Sequence, residues 1–159
     1  MANILDDYLV DKSFKLNKED IEKQITIFNN FMKNKIPKNI LGFKEIQLAK
    51  NEKMRVNVFN YVFIKQYHKL EDGSFITITP DVARKYKLSY SLDVHVDMNI
   101  FNNNKKFLKT TNNVWLGSIP VMIGSNECKL SSLIDKEDNG GYFIIDGVEK
   151  ILNYKKNEL

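Results

Sequence analysis

The chain has 159 residues, 43% apolar and 28% charged, with a formal net charge of +4. That is enough chain for a single domain, read here as residues 1–159, to bury its own core. No apolar run approaches the roughly 20 residues of a membrane span, and Met1–Asp7 lacks the basic-then-apolar order of a signal peptide. The single cysteine, Cys128, excludes an internal disulfide and a zinc cage built on cysteines of this chain, and suits a reducing, intracellular compartment.

Residues 2–11 are expected to form a short helix with Ile4, Leu5, Tyr8 and Leu9 on one side. A stronger helix begins at Asn17, whose side chain suits an N-cap, with Glu19 and Asp20 in the first turn where the macrodipole favours acids. Ile21, Ile25, Phe28 and Met32 then make an apolar stripe, widened by Ile27 and Phe31, and Pro37 is expected to end the helix shortly before it. After about residue 43 the period changes. Val56, Val58, Asn60, Val62 and Ile64 alternate with Asn57, Phe59, Tyr61 and Phe63, and both sets are apolar enough for a strand covered on both sides. Glu71–Ser74 reads as a turn, Phe75–Thr79 as the returning strand, and Pro80 as its end. Leu92, Val94, Val96, Met98 and Ile100 alternate with polar residues, the pattern of a half-buried strand. Asn102–Lys105 is a turn, a long strand follows through Val114–Leu116, and Pro120 marks Ile119–Ile123 as an edge or a strand start.

The last element is the sharpest. Tyr142–Ile145 and Val148–Leu152 are separated by Asp146-Gly147 alone. A type I′ turn needs positive φ at both central residues, and Asp-Gly accepts that at low cost. Together these elements predict an α+β fold, with N-terminal helices packed on a mostly antiparallel sheet.

Few constellations suggest chemistry. Asp93, His95 and Asp97 share one face of a predicted strand. They could hold a metal, but the lack of a fourth ligand favours a solvated face. His68 is expected at the surface near a hairpin end. Asp135, Glu137 and Asp138 do not have EF-hand spacing and read as a polar loop. Cys128 has no nearby base to activate it. Nucleotide-binding and hydrolase motifs are absent, as is the triple-aspartate magnesium site of two-metal nucleotidyl transfer. The sequence therefore shows no catalytic residue and no metal site. A pI of about 9.0 reaches the range where a nucleic-acid partner is plausible, although the lysines are scattered. The Asn- and Lys-rich composition fits an AT-rich genome.

Four blocks, in order, carry a resemblance. Gln24-Ile25-Thr26-Ile27-Phe28-Asn29-Asn30-Phe31 runs into Ile36-Pro37. Pro80-Asp81-Val82-Ala83-Arg84 leads to Leu88-Ser89-Tyr90-Ser91. Gly117-Ser118-Ile119-Pro120-Val121-Met122 continues to Ser125-Asn126-Glu127-Cys128-Lys129-Leu130. Gly140-Gly141-Tyr142-Phe143-Ile144-Ile145-Asp146-Gly147-Val148-Glu149-Lys150 closes the series. In this order and spacing they resemble the N-terminal region of the second-largest subunit of multisubunit DNA-directed RNA polymerases. The likeness is to the eukaryotic, archaeal and large-DNA-virus forms, and a large DNA virus is the preferred source.

The resemblance implies the first, incomplete part of the protrusion domain. The chain would be an N-terminal fragment or split-gene piece whose role is a structural wall of the DNA cleft. It implies a nucleotidyltransferase assembly in which the catalytic Mg2+ sits on the largest subunit and this chain has no cofactor of its own. Its partners would be the remainder of the second-largest subunit, the largest subunit and DNA, with no membrane. The location would be the nucleus or a viral factory in host cytoplasm, with packaging in the virion also open. Lys105, Lys106, Lys109, Lys150, Lys155 and Lys156 are the candidates for contact with nucleic-acid backbone. The family's usual Asn-Gly-Ser turn is Asp146-Gly147-Val148 here, which keeps the turn and changes the residue after it. The competing readings are a stand-alone nucleic-acid-binding or transcription-regulatory module with the same fold, and a small metal-dependent enzyme using Asp93, His95 and Asp97.

Overall fold

A computed structural model describes residues 9–11, 17–49, 52–102, 104–128 and 138–152. The fold is α+β, and its strand pairs are antiparallel. The chain divides into two compact units, one of Met1–Asn29, Gln66–Ser91 and Pro120–Leu159, the other of Asn30–Lys65 and Leu92–Ile119.

In the first unit, most of the helix expected over residues 2–11 lies outside the described residues. Its end is a strand instead: β1, Leu9–Asp11, pairs with β9, Val148–Leu152, in the register Leu9↔Leu152. A strand set by a partner at the far end of the chain leaves no local period to read. β9 also pairs with β8, Phe143–Ile145, giving the order β1-β9-β8.

Helix α1, Lys18–Asn30, starts as expected, with the Asp20 N–H donating to Asn17 Oδ1 at 2.8 Å. Its buried side holds Gln24 and Phe28, whereas Ile27 is 53% exposed and lies off the stripe. The hairpin β4, Tyr67–Lys69, and β5, Phe75–Thr77, forms its own two-stranded sheet. Its turn is closed by the Ser74 N–H on Asp72 Oδ1 at 2.9 Å. His68 is half-buried, its ring 4.7 Å from that of Tyr86. Pro80 opens helix α3, Pro80–Tyr86, rather than closing a strand. Proline suits that position because the first helical N–H has no partner to lose.

In the second unit, Pro37 likewise does not end the helical path. Phe31–Lys35 forms a π turn, closed by the Ile36 N–H on the Phe31 carbonyl, and Pro37 sits in the first turn of α2, Ile36–Ile40. The wider turn absorbs the donor that proline cannot supply. Met32 and Ile36 are buried, while Phe31 is 39% exposed.

A four-stranded sheet follows, ordered β2-β3-β6-β7, with β2 Gly42–Ala49, β3 Glu52–Lys65, β6 Ser91–Phe101 and β7 Phe107–Pro120. β7 is thus an edge strand, and Pro120 is its last residue rather than its first. The core is Val58, Val94 and Val96, with Ile40, Leu41, Tyr61, Phe63, Met98, Val114 and Ile119 packed against it.

β3 is not covered on both sides. The register runs Val58↔Met98 and then Asn60↔Asp97, which leaves Phe59 as an extra residue. That bulge moves the core face from Val56 and Val58 to Tyr61 and Phe63. Phe59 and Val62 are turned out, 49% and 48% exposed. Val62→Thr is accordingly expected to change stability by no more than about 0.5 kcal/mol, and Tyr61→Ala to cost about 2 kcal/mol. Urea titration of the two variants checks the phase change, and equal losses would contradict it.

Candidate functional site

Parts of all four sequence blocks meet in the first unit: residues 24–29, 80–91, 120–128 and 140–150. Thr79 caps α3 by accepting from the Val82 N–H at 3.2 Å, and Lys87 ends it in the left-handed conformation at φ 55°. The chain then runs along β8, with the Tyr90 N–H on the Ile144 carbonyl at 2.9 Å. Val121 donates to the Tyr90 carbonyl, Ile123 to that of Tyr142 and Gly141 to that of Ile123, each at 2.8–2.9 Å. Helix α1 packs on the same segments. Phe28 meets Phe143 edge-to-face at 5.6 Å, and Asn29 Oδ1 accepts from the Asn126 N–H at 2.9 Å. Val121, Met122, Ile123, Tyr142 and Ile144 are each at most 1% exposed.

The hairpin turn is type I′, with φ of 51° at Asp146 and 78° at Gly147. It docks on the end of α3. The Gly147 N–H donates to the Leu88 carbonyl at 2.9 Å, and a Cβ on Gly147 would lie 2.8 Å from Lys87 Cα. Ser89 Oγ accepts from the Asp146 N–H and donates to Asp146 Oδ1, an acceptor role that an Asn carbonyl would also fill. Val148, the residue after the turn, is 47% exposed.

Arg84 ties the α3 block to the hairpin block. Its Nε donates to Glu149 Oε1 at 2.9 Å, with a second nitrogen 2.8 Å from the same oxygen, and it donates to the Tyr142 hydroxyl at 2.7 Å and to Asp81 at 3.1 Å. Tyr142 in turn donates to Asp138, whose other oxygen accepts from the Gly140 N–H at 3.0 Å. Burial disfavours the arginine charge, but the bond to Glu149 and the surrounding acidic groups outweigh it and raise its pKa. Burial first, then the bond to Asp138, pushes the Tyr142 hydroxyl far above the ordinary tyrosine value. It stays protonated and donating. Burial, and then Cys128, does the same to Tyr90, whose hydroxyl lies 3.9 Å from the Cys128 sulfur.

Both Arg84 and Tyr142 were present in the sequence blocks, but nothing local joined them. One signal was available: of the 24 basic residues only Arg55 and Arg84 are arginine. A lysine cannot supply a planar fork to several acceptors.

The other sequence-derived candidates separate. Lys105 and Lys106 are exposed in the β6–β7 turn and Lys109 is exposed on β7 of the second unit, whereas Lys150 is half-buried on β9 of the first. Lys155 and Lys156 lie outside the described residues. Asp93, His95 and Asp97 are engaged by neighbouring strands. Ser118 donates to Asp93 at 2.6 Å, His95 Nδ1 lies 3.3 Å from the Asn113 carbonyl, and Asp97 accepts from Asn60 at 2.9 Å and from the Asn113 N–H at 2.8 Å. Among the described residues, no group of three or more His, Cys, Asp or Glu is placed to hold a metal.

The Asn60 amide, and then the Asn113 N–H, hold the Asp97 carboxyl below its ordinary range. A depressed folded-state pKa adds stability above the unfolded value, which is lost as pH falls through the folded value. In an NMR pH titration, the Asp97 midpoint is expected to move upward in Asn60→Ala; an unmoved midpoint would contradict that origin.

The hairpin and helix α3 are thus joined through a half-buried arginine. Comparison with known proteins identifies the family. The chain matches the family model described as RNA polymerase beta subunit over residues 19–157, and it belongs to that family. It is 34% identical over 157 residues to the DNA-directed RNA polymerase subunit Rpo2N of Methanocaldococcus jannaschii, covering 91% of this chain and 31% of that protein. It is 33% identical over 105 residues to the DNA-directed RNA polymerase II subunit RPB2 of Schizosaccharomyces pombe, covering 51% and 9%. With the polymerase III subunit rpc2 of Dictyostelium discoideum the identity is 29% over 147 residues, covering 86% and 9%. The chain thus spans less than a third of the length of these relatives.

Proposed function

We propose that this chain serves as the N-terminal region of the second-largest subunit of a DNA-directed RNA polymerase. There it would form the first part of the protrusion, a structural wall of the DNA cleft, without catalytic residues of its own. The observation that carries the reading is the meeting of parts of all four family blocks in one hydrogen-bonded unit, within a match that runs from residue 19 to residue 157. The partners in this reading are the remainder of the second-largest subunit and the largest subunit, which supplies the catalytic Mg2+. The setting is intracellular. A large DNA virus, with a nuclear, viral-factory or virion location, is the source we favour from the Asn- and Lys-rich composition.

Exposed apolar side chains support assembly with partners. On the edge strands of the second unit, Ile46, Leu48, Leu108, Trp115 and Leu116 are each 43–60% exposed, a density typical of surfaces that another chain covers. Reconstitution tests the reading. Added to the other polymerase subunits, the chain is expected to co-elute with them and to restore transcription to an assembly lacking it. Failure to enter the complex would overturn the reading. For the exposed lysines, changing Lys105, Lys106 and Lys109 together to Ala is expected to lower the salt slope of DNA binding by about two to three. An unchanged slope would remove them from the DNA path.

A further inference from the structure

One face of the four-stranded sheet carries a row of phenylalanine rings at the end bearing the β6–β7 turn. Phe43 on β2 and Phe101 on β6 have centroids 6.0 Å apart, and Phe101 and Phe107 on β7 are 5.9 Å apart. Between β2 and β6, Arg55 on β3 stands directly opposite Phe101 and places its guanidinium 4.1 Å from the Phe43 centroid. Phe43 and Phe107 remain 53% and 52% exposed. Arg55 is the other of the chain's two arginines, and it occupies a site where a planar cation lies on a ring.

Hydrogen bonds tie the described residues of the turn beside this row. Asn102 Oδ1 accepts from the N–H groups of Asn104 and Lys106 at 3.1 and 2.9 Å, and the Asn102 N–H donates to the Lys106 carbonyl at 3.0 Å. Lys105 takes a positive φ of 60°. The exposed Lys105 and Lys106 therefore immediately precede Phe107 in a defined turn.

We propose that this row is a stacking surface for single-stranded nucleic acid. Unpaired bases lie on the exposed rings of Phe43 and Phe107, while Lys105, Lys106 and Arg55 offset phosphate charge. Charge favours this occupant over an apolar protein segment. The acid opposite Arg55, Glu45, lies 3.9 Å from Lys53, and Arg55, Lys105 and Lys106 add further positive charge on the strand and turn beside the rings. The proposal deepens the nucleic-acid part of the preceding reading but stands on geometry within the second unit, so either can fail alone.

The test is fluorescence anisotropy of the full chain with a labelled oligothymidine of about 12 nucleotides, a typical single-strand site, and with a duplex of the same length. Single strands are expected to bind more tightly than duplex. Phe43→Leu and Phe107→Leu keep apolar volume at each site, and unchanged thermal melts would show that the fold holds. Each is expected to weaken single-strand binding about tenfold, the loss of one stacked base, and to leave duplex binding unchanged. Lys106→Ala is expected to weaken both and to lower the salt slope. Loss from the lysine change with no loss from the leucine changes would overturn stacking while leaving phosphate contact intact. No binding of the oligothymidine would overturn the proposal, whereas entry into a polymerase complex is decided by the reconstitution above.

Discussion

Gly140→Ala is expected to destabilise the first unit by about 3 kcal/mol or more. Gly140 has φ +70°, and an added Cβ would lie 2.5 Å from the Ile123 carbonyl oxygen and 3.1 Å from its carbon. Neither atom can step aside. Ile123 is 1% exposed, and the same carbonyl accepts the Gly141 N–H at 2.9 Å. Left-handed strain alone accounts for only about 1 kcal/mol, and the clash adds the loss of a buried backbone bond. Gly73→Ala is the control, since Gly73 has φ +85° but nothing within 4 Å of the new Cβ; it is expected to cost about 1 kcal/mol. Urea denaturation followed by circular dichroism measures both. Equal losses would show that the close approach of residues 140 and 123 does not hold the unit together.

The second large effect is at Arg84. Arg84→Met removes the fork and leaves Glu149 and the Tyr142–Asp138 pair without their cation. Breaking a fully buried pair costs about 3–5 kcal/mol. Here the side chains of Arg84 and Glu149 are still 33% and 29% exposed, so solvent screens part of that and about 2 kcal/mol is expected. Arg84→Lys is expected to recover less than half, because an ammonium cannot reach Glu149 and Tyr142 together in one plane. In a double-mutant cycle with Glu149→Gln, the coupling is expected to be about 1 kcal/mol. Strict additivity would mean that the two blocks are held by packing alone.

What was legible in the sequence is what local chemistry dictates. The Asp146-Gly147 turn, the Asn17 cap, the turn at Glu71–Ser74 and the alternation of Leu92–Ile100 each depend on a few neighbouring residues, and each is present. The departures share another cause. Phe59 gives no sign of being a bulge until its partner strand β6 is in register, so a period-two reading carries the wrong face through Val62. Pro80 and Pro37 both read as terminators, yet proline opens a helical turn as readily as it closes a strand. β1 is a strand only because β9 lies beside it. The same limit applies to the site. The four blocks could be matched to a family, but the Arg84 link is visible only once α3 and the hairpin are brought together. The Asp93, His95 and Asp97 row, expected as a solvated face, is instead engaged by Asn60 of β3 and by Asn113 and Ser118 of β7, partners that no local pattern announces.

The family reading rests on these blocks forming a module that works inside a polymerase. Its most direct test is affinity purification of the tagged chain from its source cells, followed by mass spectrometry. Stoichiometric recovery of the largest polymerase subunit, together with sequence covering the remainder of the second-largest subunit, is the expected result. Recovery of a soluble monomer free of polymerase subunits would contradict the account and bring forward a stand-alone nucleic-acid-binding module.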